Sequence, residues 1–332
     1  MAEEQIVKSI TGGGRIEFID LAKGVCILLV VLYHVGIEIP HFDVIRMPLY
    51  FIISGLFFKS YGSIKSFVKK KTNKILVPFI AFYLLSYCIF YIIKLFDKDL
   101  NLLDNGILDV FVSHHIFNTP IWFLLCLFWV SIIFCILYNC NWINNKYLLG
   151  VVILGIGIAG SVLKHFSIYL PLFLDSSLSA LPFYYIGYLL KESKILLPNN
   201  YDKYCLILSA LLFIITFSLV SITGIHLDIQ YNIVPLLSYL VSPLGVLAVL
   251  LLCKQIKRVP LVSYFGRYSI IILVTHNLVY SFVKVGLAKL GLVINGIEWI
   301  QFFIVILASL VIIPLFKKYI PKLVAQEDLI KT

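Results

Sequence analysis

Charged residues are scarce in this chain. Only 13% of its 332 residues are charged, whereas a soluble domain carries about 25%. Hydrophobic residues make up 61%, which is more than one water-soluble core with a polar surface can accommodate. The shortage of charge therefore excludes a soluble enzyme and a disordered chain, and it predicts a polytopic membrane protein.

Cysteine pairs that could bind a metal or form a redox site are also missing. The seven cysteines include no C-x-x-C pair, so the sequence favours neither a disulfide-rich secreted domain nor a cysteine metal site. Most of the cysteines lie within apolar runs, where a free cysteine packs as a small hydrophobic residue. We expect no metal in this protein.

Apolar runs of the length that crosses a membrane recur along the whole chain. A spanning helix needs about 20 mostly apolar residues to cross ~30 Å of hydrocarbon. This indicates an all-α fold, a polytopic membrane helix bundle with about ten transmembrane helices. The ten predicted spans are 19–38, 45–61, 75–96, 119–138, 148–164, 172–190, 205–223, 233–253, 268–285 and 298–316.

The net charge of +10 indicates how the chain is oriented. Lys and Arg collect in the cytoplasmic loops of membrane proteins, and with ten spans most of the basic residues fall on the same side as the N-terminus. We therefore expect both termini to be cytoplasmic, with an N-terminal segment 1–18, a transmembrane domain 19–316 and a tail 317–332. In a soluble protein this charge would suggest nucleic acid; here we expect no nucleic-acid partner.

Three ionisable residues interrupt the first predicted span: Asp20, Lys23 and His34. In a helix, Lys23 and His34 differ by only ~20° around the axis and lie ~16 Å apart along it. Asp20 and Glu38 fall on the same stripe. Ionisable groups within a membrane are costly and mark a function by default. The alternative is an ion pair of Asp20 with Lys23 near the inner interface.

Five blocks of this sequence resemble the acyltransferase-3 family of integral membrane O-acyltransferases. In RIEFIDLAKGVCILLVVLYH, Lys23 and His34 match the family's signature of Arg or Lys, ten residues and His. The block MPLYFIISGLFF, with Ser54, is similar to the second span of the family. The later blocks KKKTNKILVPF, PIWFLLCLFW with Trp122, and YFGRYSIIILVTHN follow in the family's order.

The basic block differs from the family in one respect. It has Lys where the family often has Arg, and lysine cannot hold a phosphate through two parallel hydrogen bonds. The blocks are most similar to sugar and polysaccharide O-acetyltransferases, the fucose-acetylase-like branch of the family.

The resemblance implies that an acyl group, most simply acetyl, moves from cytoplasmic acyl-CoA to a hydroxyl of a carbohydrate or glycolipid. The carbohydrate would belong to the cell envelope or be exported, and the protein would reside among the lipids of a bacterial plasma membrane. A succinyl group, or an acceptor such as peptidoglycan, a protein or a small molecule, is also compatible with the sequence.

The resemblance also implies roles for individual residues. His34 is the candidate general base, because imidazole can exchange a proton near neutral pH, and Lys23 and Asp20 complete the catalytic set. A transient acyl-histidine that relays the group is the competing mechanism. The candidate ligands of the acyl-CoA co-substrate are Lys70, Lys71 and Lys74. The lysine run can also be explained by topology or by anionic lipid.

Three further residues are candidates for substrate binding: Ser54, Trp122 and His276. Trp122 can equally be an interfacial aromatic residue, and His276 can equally form a structural hydrogen bond between helices. The acidic segment 97–118, which contains His114, is either a solvated loop or the roof of a site that faces outward.

A transporter or flippase of a sugar or lipid is the second functional hypothesis. The stripe of Asp20, Lys23 and His34 would then relay protons. Transporters often contain inverted repeats, and no convincing repeat is visible here. The order of the five blocks therefore favours the enzyme.

Overall fold

The computed structural model describes residues 16–96, 106–140, 142–143, 145–193, 195–196, 204–291 and 295–330. Within these ranges the chain is helical, and its β-structure is limited to one isolated antiparallel bridge between Asp228 and Ile233. The prediction of an all-α fold is confirmed. The predicted N-terminal segment 1–18 lies mostly outside the described residues.

The α-helices of the described ranges are labelled in chain order. They are α1 (Glu17–His34), α2 (Asp43–Leu56), α3 (Ile64–Lys71), α4 (Val77–Phe96), α5 (Trp122–Tyr138), α6 (Lys146–His165), α7 (Leu174–Ser193), α8 (Cys205–Thr223), α9 (Ser238–Ile256), α10 (Pro260–Arg267), α11 (Ser269–Lys289) and α12 (Ile297–Tyr319).

Seven helical segments within the described ranges are long and apolar enough to cross a membrane, so the chain is a multi-pass membrane protein. They are Ile64–Ile92, Thr119–Tyr138, Lys146–His165, Cys205–Thr223, Ser238–Ile256, Ser269–Lys289 and Ile297–Tyr319. The sequence predicted ten spans, and the remaining three form α1, α2 and α7. These three helices do not meet the length and hydropathy criteria for a span. Helix α1 carries three charged residues before its middle, α2 has only 14 residues, and α7 is rich in serine.

The less apolar helices α2 and α7 pack against each other at very short range. A Cβ atom on Gly55 would lie 1.9 Å from the carbonyl oxygen of Tyr184, and one on Gly187 would lie 1.9 Å from that of Ile52. Only glycine permits such a close backbone approach. Because α2 and α7 are covered by other helices, their polar groups face protein rather than lipid, which lowers the cost of placing them there.

The start of α1 is held in the same way by α10, a short helix that the sequence did not predict. A Cβ atom on Gly24 would lie 2.0 Å from the carbonyl oxygen of Val262, and one on Gly266 would lie 1.7 Å from that of Asp20. The guanidinium of Arg267 lies 3.2 Å from a carboxylate oxygen of Glu17. This contact fixes the position of α1, and with it Lys23, along the helix axis relative to α10.

Two predicted boundaries change in the structure. Helix α1 ends at His34, so Glu38 lies in the following loop and does not continue the predicted stripe. The basic block taken as a loop is helical: α3 continues into a π-helical turn, Thr72–Leu76. There the N–H of Val77 bonds to the carbonyl of Thr72, and Pro78, which follows, has no N–H to restore the α pattern.

The predicted tail 317–332 begins as the last turn of α12 and then folds back over the π-helical turn. The side chain of Asn73 donates to the carbonyl of Ile330 and accepts from its N–H, both at 2.8 Å. Val324 in this segment is fully buried. The C-terminal segment, defined as 320–330, is therefore packed against the π-helical turn.

Candidate active site

A cavity of about 440 Å³ lies among α1, α2, α3, α5 and α11. Its volume is within the range of small-molecule sites, about 300–1,000 Å³. We call it the lysine cavity. It is lined by Lys23, Tyr50, Ile53, Ser54, Phe57, Tyr61, Lys70, Lys71, Lys74, Ile75, Phe123, Leu124, Leu127, Ser269, Ile270 and Leu273.

Four lysines from two parts of the chain meet in this cavity. Lys70 and Lys71 are neighbours at the end of α3, and Lys74 follows them by four and three residues in the π-helical turn, so it lies about one turn further along the same side of the helix. Lys23 reaches the cavity from α1. None of the described residues that line the cavity is acidic. A concave site with charge of one sign attracts a ligand of the opposite sign, so the cavity suits an anion.

Lys23 is held by Tyr50 on α2 and by Phe57, the residue that follows α2. The hydroxyl of Tyr50 donates to the carbonyl oxygen of Lys23 at 3.2 Å, and the Lys23 ammonium lies 5.7 Å from the ring centroid of Phe57. Tyr50 and Ser54 are four residues apart and share a face of α2. The structure thus brings together five of the predicted site residues: Lys23, Ser54, Lys70, Lys71 and Lys74.

His34 and His276 lie together, away from the lysine cavity. His34 is the last residue of α1 and, eleven residues after Lys23, lies ~16 Å further along the helix. Its ring centroid is 5.2 Å from that of His276 on α11. His276 is 1% exposed, and its Nδ1 is 2.8 Å from the carbonyl oxygen of Ile272. Its Nε2 is buried and has no hydrogen-bond partner among the described residues.

Asp20 and Trp122 are not among the described residues that line the lysine cavity. Asp20 is buried, and one of its carboxylate oxygens lies 4.0 Å from Nε of Arg267 on α10. The ring of Trp122 packs perpendicular to that of Phe123 with centroids 6.2 Å apart, and Phe123 does line the cavity. Trp122 thus adjoins the cavity through Phe123, whereas Asp20 contacts α10.

A second cavity, of about 320 Å³, lies at the His34 end of α1. We call it the distal cavity. In it the Arg46 guanidinium lies 3.8 Å from the ring centroid of Tyr33, and Asp43 accepts from the ring of His226 at 3.1 Å. Its lining combines charged and polar residues with aliphatic ones: Tyr33, Glu38, Ile39, Pro40, His41, Asp43, Arg46, Val220, Ile225, His226, Leu227 and Asp228.

Another buried polar pair joins the segment before α5 to α7. Nε2 of His114 lies 2.9 Å from Oδ1 of Asp175, and both side chains are almost fully buried. The carbonyl of His114 also accepts from the side chain of Gln230 at 3.2 Å.

Among the described residues, no group of three or more His, Cys, Asp or Glu side chains is arranged to hold a metal ion.

Three polar residues of the lysine cavity were missed in the sequence: Tyr50, Tyr61 and Ser269. Tyr50 could have been found, since it precedes Ser54 by one helical turn in the same block. Ser269 precedes His276 by seven residues, which again places it on the same face of a helix. Tyr61 lies in the connection after α2, where no periodicity applies.

The comparison with protein families agrees with these arrangements. Residues 16–318, most of the chain, match a family model described as an acyltransferase domain, Acyl_transf_3. Both cavities and the two histidines lie within the matched residues. No curated protein and no solved structure shows a significant match.

Proposed function

This chain belongs to the acyltransferase-3 family, and from that premise we propose that it moves an acyl group from acyl-CoA to a hydroxyl of a carbohydrate or glycolipid. Acetyl is the simplest acyl group, and the acceptor belongs to the cell envelope or is exported, as for the sugar and polysaccharide branch of the family. Family membership also favours acyl transfer over the transport of a sugar or lipid.

The convergence of four lysines on one cavity carries this proposal. The nucleotide end of CoA bears phosphate groups with several negative charges, and lysine ammonium groups bind phosphate as point charges. The aromatic residues Tyr50, Phe57 and Tyr61 in the same lining offer surfaces for the adenine ring. The donor thus lies in the lysine cavity, held by Lys23, Lys70, Lys71 and Lys74.

The distance between Lys23 and His34 suits the rest of the donor. An extended pantetheine arm can cover the ~16 Å that separates the two residues along α1. The thioester then reaches His34 while the nucleotide stays among the lysines. Both residues lie on the continuous helix α1, which sets this distance, and Asp20 contributes by positioning α1 through its contact with Arg267.

In the proposed reaction His34 takes the proton of the attacking hydroxyl as the new O–C bond forms. The C–S bond of the thioester then breaks, and the thiolate of CoA is protonated. Direct attack requires the donor and acceptor to be bound together. In the competing version His34 itself carries the acyl group for a time, and a trapped acyl adduct on His34 would establish that version.

The two cavities lie toward opposite ends of α1. We assign the lysine cavity to the cytoplasmic side, with both termini, where acyl-CoA is available. The distal cavity then faces outward and admits the acceptor toward His34, and its carboxylates and Arg46 provide hydrogen-bond partners for sugar hydroxyls. The membrane is the bacterial plasma membrane.

Activity is tested with the purified protein in liposomes, supplied with radiolabelled acetyl-CoA and envelope glycan. We expect label on the glycan and free CoA thiol in equal amounts, and both should be abolished by His34→Ala in protein that remains folded. Lys65→Ala, an exposed lysine of α3 outside the cavity lining, is the matched control. Full activity of His34→Ala would overturn the mechanism, and movement of a labelled sugar without release of CoA would favour the transporter.

The orientation of the protein in the membrane is tested in cells that express one cysteine substitution at a time, Lys65→Cys or His226→Cys. A membrane-impermeant maleimide should label a cysteine at Lys65 only after the membrane is opened, and a cysteine at His226 in intact cells. The reverse pattern would place the lysine cavity outside, where acyl-CoA is absent.

A further inference from the structure

His276 is the second histidine of the site, and we propose that it is a catalytic acid: it receives the proton from His34 and delivers it to the departing thiolate of CoA. This inference rests on the proposed acyl transfer. It assigns His276 a chemical role, in place of the substrate binding or helix-to-helix hydrogen bond that the sequence allowed.

The position of His276 on α11 links it to the donor. Ser269, Leu273 and His276 follow one another at intervals of four and three residues, so they lie along one face of α11. Ser269 and Leu273 line the lysine cavity. His276 is therefore the next residue on that face beyond the cavity, in the direction that the thioester must extend to reach His34.

The hydrogen bonding of His276 leaves one nitrogen free. Its Nδ1 donates to the carbonyl oxygen of Ile272 at 2.8 Å, because a ring nitrogen can bond to a carbonyl oxygen only through N–H. Nε2 of the neutral ring is then a bare acceptor, and it is buried without a partner among the described residues. The bond that His276 makes is to its own helix, so it does not join two helices.

The neighbouring histidine supplies the proton. The ring centroids of His34 and His276 are 5.2 Å apart, so a proton can pass between the rings directly or through one bound group. His34 also contacts Tyr33, with centroids 5.4 Å apart, and Tyr33 lines the distal cavity. The acceptor hydroxyl thus meets His34 first, and the thioester meets His276 first.

The proton balance closes with these two residues. The hydroxyl proton moves to His34 while the oxygen attacks the carbonyl carbon. His34 then passes a proton to Nε2 of His276, and the resulting imidazolium protonates sulfur as the C–S bond breaks. Both histidines end neutral, the acyl group ends on oxygen, and CoA leaves as the free thiol.

The decisive variant is His276→Asn. The Asn amide nitrogen occupies the place of Nδ1 and can still donate to the carbonyl of Ile272, but it provides no basic nitrogen at the Nε2 position. We expect kcat to fall about 10²- to 10⁴-fold, with the KM values for acetyl-CoA and for the glycan within about twofold of wild type. His276→Ala should lose as much. Thr275→Val, its buried neighbour on α11, should retain kcat.

Three results would overturn the inference while the proposed function stands. If His276→Asn keeps wild-type kcat and only His276→Ala fails, the residue serves the fold. If the KM for the glycan rises and kcat is unchanged, it binds substrate. The double variant His34→Asn, His276→Asn should lose no more kcat than His34→Asn alone, because the two residues act in one proton path. A loss of kcat in the double variant equal to the product of the two single losses would also refute the inference. Failure of the proposed function itself is different, since then the wild-type protein transfers nothing.

Discussion

The ammonium of Lys74 lies 2.9 Å from a carboxylate oxygen of Asp328 and donates to the carbonyl of Ala325 at 3.1 Å. A lysine of the lysine cavity is thus already bound by the C-terminal segment, more than 250 residues later in the chain. The carboxylate occupies Lys74 in the way that a phosphate would. In the proposed donor site, acyl-CoA would compete with the C-terminal segment for Lys74.

Asp328→Asn should lower the KM for acyl-CoA, because it removes the anion that competes for Lys74. A partly exposed ion pair is worth about 0.2–1 kcal/mol, so we expect a decrease of up to about fivefold in KM, measured by CoA release in liposomes. Glu327→Gln, the exposed neighbour, should leave KM unchanged. A KM that rises in Asp328→Asn would show that the carboxylate orients Lys74 for the donor instead.

Lys71→Ala should raise the KM for acyl-CoA and change kcat little, because in the proposed donor site it removes a charge that contacts phosphate in both the ground state and the transition state. Hydrogen bonds to charged groups contribute about 1.5–3 kcal/mol, which corresponds to a rise of roughly 10- to 100-fold in KM. Lys71→Arg should keep the KM for acyl-CoA close to the wild-type value. Added salt should raise this KM more in the wild type than in the alanine variant. An equal effect of Lys65→Ala would contradict the assignment of Lys71 to the donor site.

Gly266→Ala should destabilise the protein and weaken acyl-CoA binding together. The new Cβ atom would meet the carbonyl oxygen of Asp20 at 1.7 Å, so α10 must move away from α1, and Lys23 moves with α1. Overpacking costs typically 1–3 kcal/mol, to within about a factor of two, and thermal unfolding in detergent measures it. Gly286→Ala, a helical glycine with open space around it, is the control and should unfold at or slightly above the wild-type temperature, because alanine is the better helix former.

Asp175→Ala should be strongly destabilising, because it leaves His114 buried without its partner. Removal of one member of a buried pair costs about 3–5 kcal/mol, and His114→Ala should cost a similar amount. The double variant His114→Leu, Asp175→Leu should recover part of the loss, since no polar group is then left unpaired. His115→Ala, at the exposed neighbouring position, provides the baseline for the free energy of unfolding. If it destabilises the protein as much as Asp175→Ala does, loss of the buried pair is not the cause of the destabilisation.

The helical membrane fold could be predicted from the sequence because hydrophobicity over about 20 residues is a local property. The spans missed by the apolar criterion are those whose polar residues face protein. Asp175, for instance, is tolerated in α7 because His114 lies 2.9 Å away, and nothing near either residue in the sequence indicates the pairing. The helical nature of the basic block was also missed, since lysine runs are typical of loops.

The candidate site was predictable in part. Lys23, Lys70, Lys71 and Lys74 could be selected because helical spacing and motif order are properties of short segments. The division of the predicted residues between the lysine cavity and the histidine pair was not predictable. It depends on the axial position of α11 relative to α1, and that position depends on the close packing of Gly24 and Gly266.

The sequence by itself determined that this chain is a helical membrane protein of the acyltransferase-3 family, with Lys23 and His34 on one face of its first helix. These properties need only composition, periodicity and the order of short blocks. The tertiary structure decided which residues meet: His34 with His276, Lys74 with Asp328 and His114 with Asp175. Those contacts join residues that are far apart in the chain, so they depend on how the helices and the segments between and after them pack together.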